Sequence, residues 1–165
     1  MQLAGGEKNR ELPAQMTEKI KAMKGITHIT CCNSCICFVK NDKKIAVVKD
    51  RYWYYKEFGT IVEWNNIENV YGRGFNITAV DNNGRMNAAG FGHGGQLSFD
   101  KFKGVQFVTA GNRTMTIFRK DTAYLIADKS IRDKLKNKRI IATSEGYKYL
   151  LVRYIDGTCQ AIATD

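Results

Sequence analysis

Residues 67–91 read IENVYGRGFNITAVDNNGRMNAAGF, and this stretch decides the fold. Ile77 and Ala79 stand two residues apart, the spacing that puts alternate side chains on one face of a strand. Asn83-Gly84 follows, a pair suited to hairpin turns because such turns need positive φ. A second strand then returns through Ala88 and Ala89. The unit is a β-hairpin preceded by a short leading strand, at Ile67 and onward.

Three other stretches align on it: residues 26–50 (ITHITCCNSCICFVKNDKKIAVVKD), 105–129 (VQFVTAGNRTMTIFRKDTAYLIADK) and 140–165 (IIATSEGYKYLLVRYIDGTCQAIATD). The period is roughly 38 residues, within the range of supersecondary repeats. Ile36, Ile77, Met115 and Leu150 share a column, and Phe38, Ala79, Ile117 and Val152 share the one two residues on. Turns recur at Asn41-Asp42, Asn83-Gly84, Lys120-Asp121 and Asp156-Gly157. The returning strands align Val47, Ala88, Leu125 and Ala161, then Val48, Ala89, Ile126 and Ile162. No unit can bury its own face, so the units must stack side by side. The expected fold is all-β: tandem β-hairpin repeats forming about four propeller-type blades, with repeats near 26–66, 67–104, 105–139 and 140–165. Residues 1–25 form a tail and a short amphipathic helix, in which Pro13 suits the first turn, Met16, Ile20 and Met23 share a face, and Gly25 is the stop. That helix is expected to cover a sheet face or an exposed edge.

The linkers between units differ: DRYWYYKEFGTIVEWNN (50–66), GFGHGGQLSFDKFKG (90–104) and KSIRDKLKNKR (129–139). Trp64 and Phe102 precede the next unit by three residues and are expected to wedge between sheets. Loops on a rigid scaffold commonly carry function, and aromatic and Arg side chains dominate binding hot spots. The candidate partner-binding residues are therefore Arg51, Tyr52, Trp53, Tyr54, Tyr55 and Lys56 of the first linker, Phe91 and His93 of the second, and Lys129, Arg132, Lys134, Lys136, Lys138 and Arg139 of the third. Phe58 and Gln96 lie beside them. Packing between blades for the aromatics and a solvated face for the Lys run are the competing readings.

The net charge of +10, from 26 Lys and Arg against 16 Asp and Glu, favours partners with acidic surfaces. The N-terminal MQLAGGEKNRELP has no apolar signal-peptide core, and no apolar run approaches the ~18 residues of a membrane span. With five Cys, an odd number, the expectation is a cytoplasmic protein with free thiols and no membrane partner. Cys31, Cys32, Cys35 and Cys37 crowd together, but zinc asks for four ligands and no second Cys pair or His pair completes the set. Cys35 and Cys37 share columns with Asn76/Thr78 and Thr114/Thr116, which makes them packed strand residues. No metal or cofactor is expected. The GxGxxG spelling at Gly90–Gly95 is not followed by a helix, so it does not make a dinucleotide site. His28 and His93 fall in different units without a Ser or Asp companion, and no paired carboxylates stand out, so no enzyme is expected.

The second unit resembles one blade of the regulator-of-chromosome-condensation repeat family. Gly74, Asn83-Gly84, Gly90 and Gly95-Gln96-Leu97 fall where that family has its leading Gly, its turn, the end of its strand and its Gly-Gln-Leu loop. Gly111 and Gly146 lie near the leading Gly of other units, and Asp156-Gly157 at the turn; Asn76 stands where the family usually has a strand His. The resemblance implies a β-propeller used as a rigid binding disc. Members bind chromatin and a small GTPase, or inhibit secreted β-lactamases. Family propellers have about seven blades and this chain supplies about four, so a small ring, a homo-oligomer or a covering partner would complete it. The expected function is a non-catalytic protein-binding module, an inhibitor or assembly adaptor for a protein with an acidic surface. The alternative is a nucleic-acid-binding protein using the same basic and aromatic loops.

Overall fold

The computed structural model describes residues 14–33, 35–49, 56–74, 76–90, 102–111, 113–120, 122–146 and 148–164, with backbone alone at 56–59. Its strands form four three-stranded antiparallel sheets in chain order. Sheet 1 is β1 (Ile26–Cys32), β2 (Cys35–Lys40) and β3 (Ile45–Lys49); sheet 2 is β4 (Ile67–Arg73), β5 (Asn76–Asp81) and β6 (Met86–Gly90). Sheet 3 is β7 (Val105–Ala110), β8 (Met115–Arg119) and β9 (Ala123–Ile126); sheet 4 is β10 (Ile140–Glu145), β11 (Tyr149–Tyr154) and β12 (Cys159–Ala163). The repeat columns are structural equivalents: Ile36 pairs with Val48, Ile77 with Ala89, Met115 with Ile126 and Leu150 with Ile162. A one-residue register shift recurs at the start of each leading strand.

The turns explain the spelling of the repeat. Lys43, Gly84 and Gly157 hold the same left-handed position, with φ of 60°, 70° and 85°. Gly25, Asn66 and Gly104 take positive φ immediately before β1, β4 and β7. The N–H groups of Asn41 and Asn82 donate to the carbonyls of Gly25 and Asn66, and that of Ile155 to Arg139. Sheets 1, 2 and 4 are thereby closed at their entry.

Sheets stack in sequence, each trailing face against the leading face of the next. Cys35, Cys37 and Val39 of sheet 1 pack on Ile67, Val70, Ile77 and Ala79 of sheet 2. Val80 of sheet 2 packs on Val105, Val108, Met115 and Ile117 of sheet 3. Main-chain bonds stitch the joints: Ile67 N–H donates to Lys43 O (2.9 Å) and Val105 N–H to Gly84 O (3.1 Å). At the first joint Gly72 N–H also donates to Thr30 Oγ1 (2.7 Å). A Cβ at Gly72 would stand 2.7 Å from Cys31 O, so only glycine lets these leading strands approach. At the third joint polar groups do the work. Thr143 Oγ1 donates to Thr116 Oγ1 (3.0 Å), and Glu145 accepts from the N–H groups of Arg113 and Thr114 and from the Thr114 hydroxyl. Among the described residues the main contacts between sheets join neighbours in the stack, and the four sheets do not close into a ring.

Helical linkers fill the wedge as blades diverge. Helix α1 (Ala14–Ala22) lays Met16 and Ile20 on Phe38 and Val48 of sheet 1. The 3-10 helix Lys56–Glu63 lies between β3 and β6, with Ile61 fully buried in the core between sheets 1 and 2. The linker 129–139, read from sequence as a loop, contains a second helix, α2 (Lys129–Lys134). Burying one such Ile stabilises by about 1.5–3 kcal/mol, which is why these linkers are helical wedges and not free loops. Trp64 packs partly buried against the first core, and Phe102 is buried in the second with its ring 4.9 Å from that of Tyr124.

Candidate protein-binding face

Among the candidate residues, Arg51, Tyr52, Trp53, Tyr54, Tyr55, Phe91 and His93 lie outside the described residues, as does the side chain of Lys56. Lys129, Arg132, Lys134, Lys136, Lys138 and Arg139 are all described and all exposed. Their display follows from α2. Asp128 precedes the helix, and its carbonyl accepts from the N–H groups of Ile131 and Arg132, both at 3.1 Å. Ile131 and Leu135, four residues apart, anchor one side in the core with Leu150, Val152 and Ile162. The cations therefore face outward. Asn137, at φ 65°, then turns the chain into β10.

Lys138 is tethered: its ammonium donates to Gln160 Oε1 (3.0 Å) and stands 4.9 Å from the centre of the Tyr154 ring. Tyr154 O–H donates to the same Gln160 oxygen (2.6 Å). Nearby, hydrogen bonds from the Thr158 hydroxyl and N–H hold the Asp156 carboxyl below its ordinary value, with the Lys138 charge adding to the effect. Asp156 and Arg139 border a surface groove of about 300 Å³ with Tyr154 and Ile155.

A second groove of about 200 Å³ runs between sheets 3 and 4. Its floor is Phe107 stacked on Phe118, with ring centres 4.3 Å apart and planes at 13°. Phe107, Ile141 and Ile155 are exposed there, at 42%, 38% and 54%. Arg119, Lys120 and Arg139 stand among its lining residues, and no carboxylate does among the described residues. Arg139 borders both grooves, so the basic linker is continuous with an apolar strip. Sequence reasoning missed Phe107, Phe118, Arg119, Lys120, Ile141 and Ile155. The available signal was adjacency: Phe107-Val108 and Ile140-Ile141 are neighbouring apolar pairs, and a strand must turn one member of such a pair away from the face it buries.

Among the described residues no group of three His, Cys, Asp or Glu is placed to hold a metal ion. Cys35 and Cys37 are buried, with Sγ atoms 3.8 Å apart, and Cys32 Sγ lies 2.9 Å from Cys35 Sγ. The Cys32 contact pulls the Cys35 thiol down, but the Cys37 contact and burial outweigh it and push the thiol well above its ordinary value. Of the GxGxxG spelling only Gly90 is described; it ends β6. No described helix is long and apolar enough to cross a membrane.

Small antiparallel sheets repeated in chain order and packed face to face are the arrangement of the β-propeller class, here with three strands to a blade. Solved structures place it more narrowly. The chain superposes on Prp20p of Saccharomyces cerevisiae with a TM-score of 0.63 at 9% identity, covering 84% of this chain and 45% of that one. It superposes on human WBSCR16 with a TM-score of 0.58 at 9% identity, covering 86% and 48%. The fold is thus similar to that of these two propellers, and the chain spans about half the length of each. The Prp20p structure was described with its binding to Gsp1p and histones. No protein-family model matches the sequence, and no curated protein matches it.

Proposed function

We propose that this chain is a non-catalytic protein-binding module, acting as an inhibitor or assembly adaptor for a partner with an acidic surface. The observation that carries the reading is the groove between sheets 3 and 4. Its exposed aromatic and aliphatic floor is rimmed by Arg119, Lys120 and Arg139, the make-up of a hot spot with a steering rim. Burial of Phe107, Ile141 and Ile155 would supply the anchor. Arg119, Lys120, Arg139 and the α2 cations would set approach rate and partner sign. Binding of Gsp1p and histones by Prp20p is a precedent for protein recognition on this fold. The aromatic first linker extends the same reading to residues 51–55. Five free thiols suit a reducing, cytoplasmic setting. Because four sheets leave the ring incomplete, association of copies to complete it belongs to the same reading.

The test is recovery of the tagged chain's partner from source lysate, with and without nuclease, for wild type and for Phe107→Ala and Arg139→Ala. One stoichiometric protein retained after nuclease and weakened several-fold by Phe107→Ala is the expected result. Loss of recovery with nuclease, with steep salt dependence, would replace it by the nucleic-acid reading. Unchanged recovery in both variants would remove the groove from the site.

A further inference from the structure

The two ends of the stack are two halves of one missing joint. In sheets 1 to 3 the trailing-face column is closed off by the next blade: Cys37, Thr78 and Thr116 are 0–1% exposed. In sheet 4 the same column holds Leu151, at 55%, beside Tyr149, at 57%. Ala161 and Ala163 pair with these two across the sheet and are exposed with them. The turn tells the same story. A Cβ at Gly84 would run into the next blade, 2.8 Å from Val105 N and 2.9 Å from Gly104 Cα. At Gly157, the equivalent position, nothing lies within 4 Å.

The other end is the complement. On the leading strands, Val70 and Val108 are buried by the preceding sheet, at 6% and 2%; their counterpart Ile29 in β1 is 55% exposed. The wedge position here is already filled. Helix α1 packs on Phe38 and Val48 of β2 and β3, with Ile26 at the start of β1 against the same cluster, and it leaves Ile29 of β1 exposed. Docking a trailing face here would use the exposed part of β1 beside α1.

We propose that the trailing face of sheet 4, centred on Leu151 and Tyr149, docks on the Ile29 face of sheet 1 in a second copy of this chain. What covers such a face is shown three times within the molecule: the leading strand of another blade. A second copy carries the required leading strand, uncovered and with its wedge helix in place. Two copies related by a twofold axis form the joint twice and close a ring of eight sheets, within the four to eight blades that propellers use. Closure also hides the sheet faces that an incomplete ring leaves to solvent. The inference rests on the ring-completing part of the proposed function and is independent of the partner groove.

The test is the mass of the full chain by light scattering, for wild type, Leu151→Lys and Ile29→Lys. Both side chains are exposed in the single chain, so each variant should keep the wild-type circular dichroism and melting behaviour of a folded monomer. The expected masses are two chains for wild type and one for each variant. Mixing the two variants should restore the two-chain mass, because one joint of the mixed pair is then free of both lysines. A one-chain wild type at every soluble concentration overturns the proposal. So does a pair that survives Leu151→Lys, a pair that survives Ile29→Lys, which would mean that sheet 4 meets sheet 4, or a mixture that stays monomeric. A ladder of larger masses would show an open chain of copies and overturn the closed pair. Phe107→Ala, which touches the partner groove alone, should leave the two-chain mass unchanged, so failure of either reading is seen separately.

Discussion

The third joint depends on a carboxylate lodged over a glycine, and a double-mutant cycle can measure that arrangement. Glu145 ends β10, is 7% exposed, and accepts three hydrogen bonds from the segment leading into β8. Two donors belong to Thr114, itself 2% exposed; the third is the N–H of Arg113, an exposed residue that water can reach. Glu145→Ala leaves the Thr114 donors without an acceptor, and an unpaired buried group costs about 1–3 kcal/mol. The expected loss is about 2–4 kcal/mol. Gly111 lies under the same carboxylate: a Cβ there would overlap its carboxyl group and stand 2.7 Å from Glu145 Cβ. Its backbone is not in the left-handed region, so Gly111→Ala costs only the overlap, about 1–3 kcal/mol. With Ala at 145 the overlap with the carboxyl group is gone and the 2.7 Å approach of the two Cβ atoms remains. The double variant should therefore lose less than the sum of the two single variants, a coupling of about 1–2 kcal/mol. Urea unfolding at constant m reads each corner of the cycle, and each kcal/mol should move the melting point by about 2–4 °C at this size. Additive losses, or a neutral Gly111→Ala, would refute the clamp.

Gly84→Ala and Gly157→Ala both place Ala in the left-handed region, at about 1–2 kcal/mol each; Gly84→Ala should cost more in chemical denaturation because its Cβ meets the next blade and that of Gly157 meets none. The Lys43 ammonium, 2.9 Å from Glu68 and donating to it, holds that carboxyl below its ordinary 4.5. A lowered folded value stabilises above pH 4.5 and fades as pH falls through it; NMR titration should show Glu68 rising toward 4.5 in Lys43→Met, and no change would dismiss the inter-blade pair. In native protein Cys31 and Cys159, both exposed, should react fast with a thiol reagent, while Cys35 and Cys37 wait for denaturant; fast labelling of Cys35 would contradict its burial and raised pKa.

The repeat was legible because its columns are set by local physics. Period-two alternation and turns needing positive φ place Ile77, Gly84 and Ala89 without knowledge of any neighbour. The linkers were less legible. Helix α2 rests on only two apolar residues, Ile131 and Leu135, in a run of lysines and arginines. Its stability comes from the sheet beneath it and not from the segment's own pattern. The partner groove was missed for a similar reason: Phe107, Ile141 and Ile155 lie in three separate stretches, brought together only when sheets 3 and 4 stack.

The trailing-face columns press the point furthest. By hydropathy alone, Tyr149 and Leu151 belong inside and Thr78, Thr114 and Thr116 outside. The structure has the reverse: the three threonines are 0–2% exposed and the other two more than half exposed. Position in the stack, and not residue type, decides burial in a repeat whose faces are closed by neighbours. Thr114 and Thr116 tolerate this by bonding Glu145 and Thr143 across the joint. Leu151 and Tyr149 have no such partner among the described residues, and the cheapest relief for that apolar face is the surface that already relieves its counterparts, the leading strand of another blade.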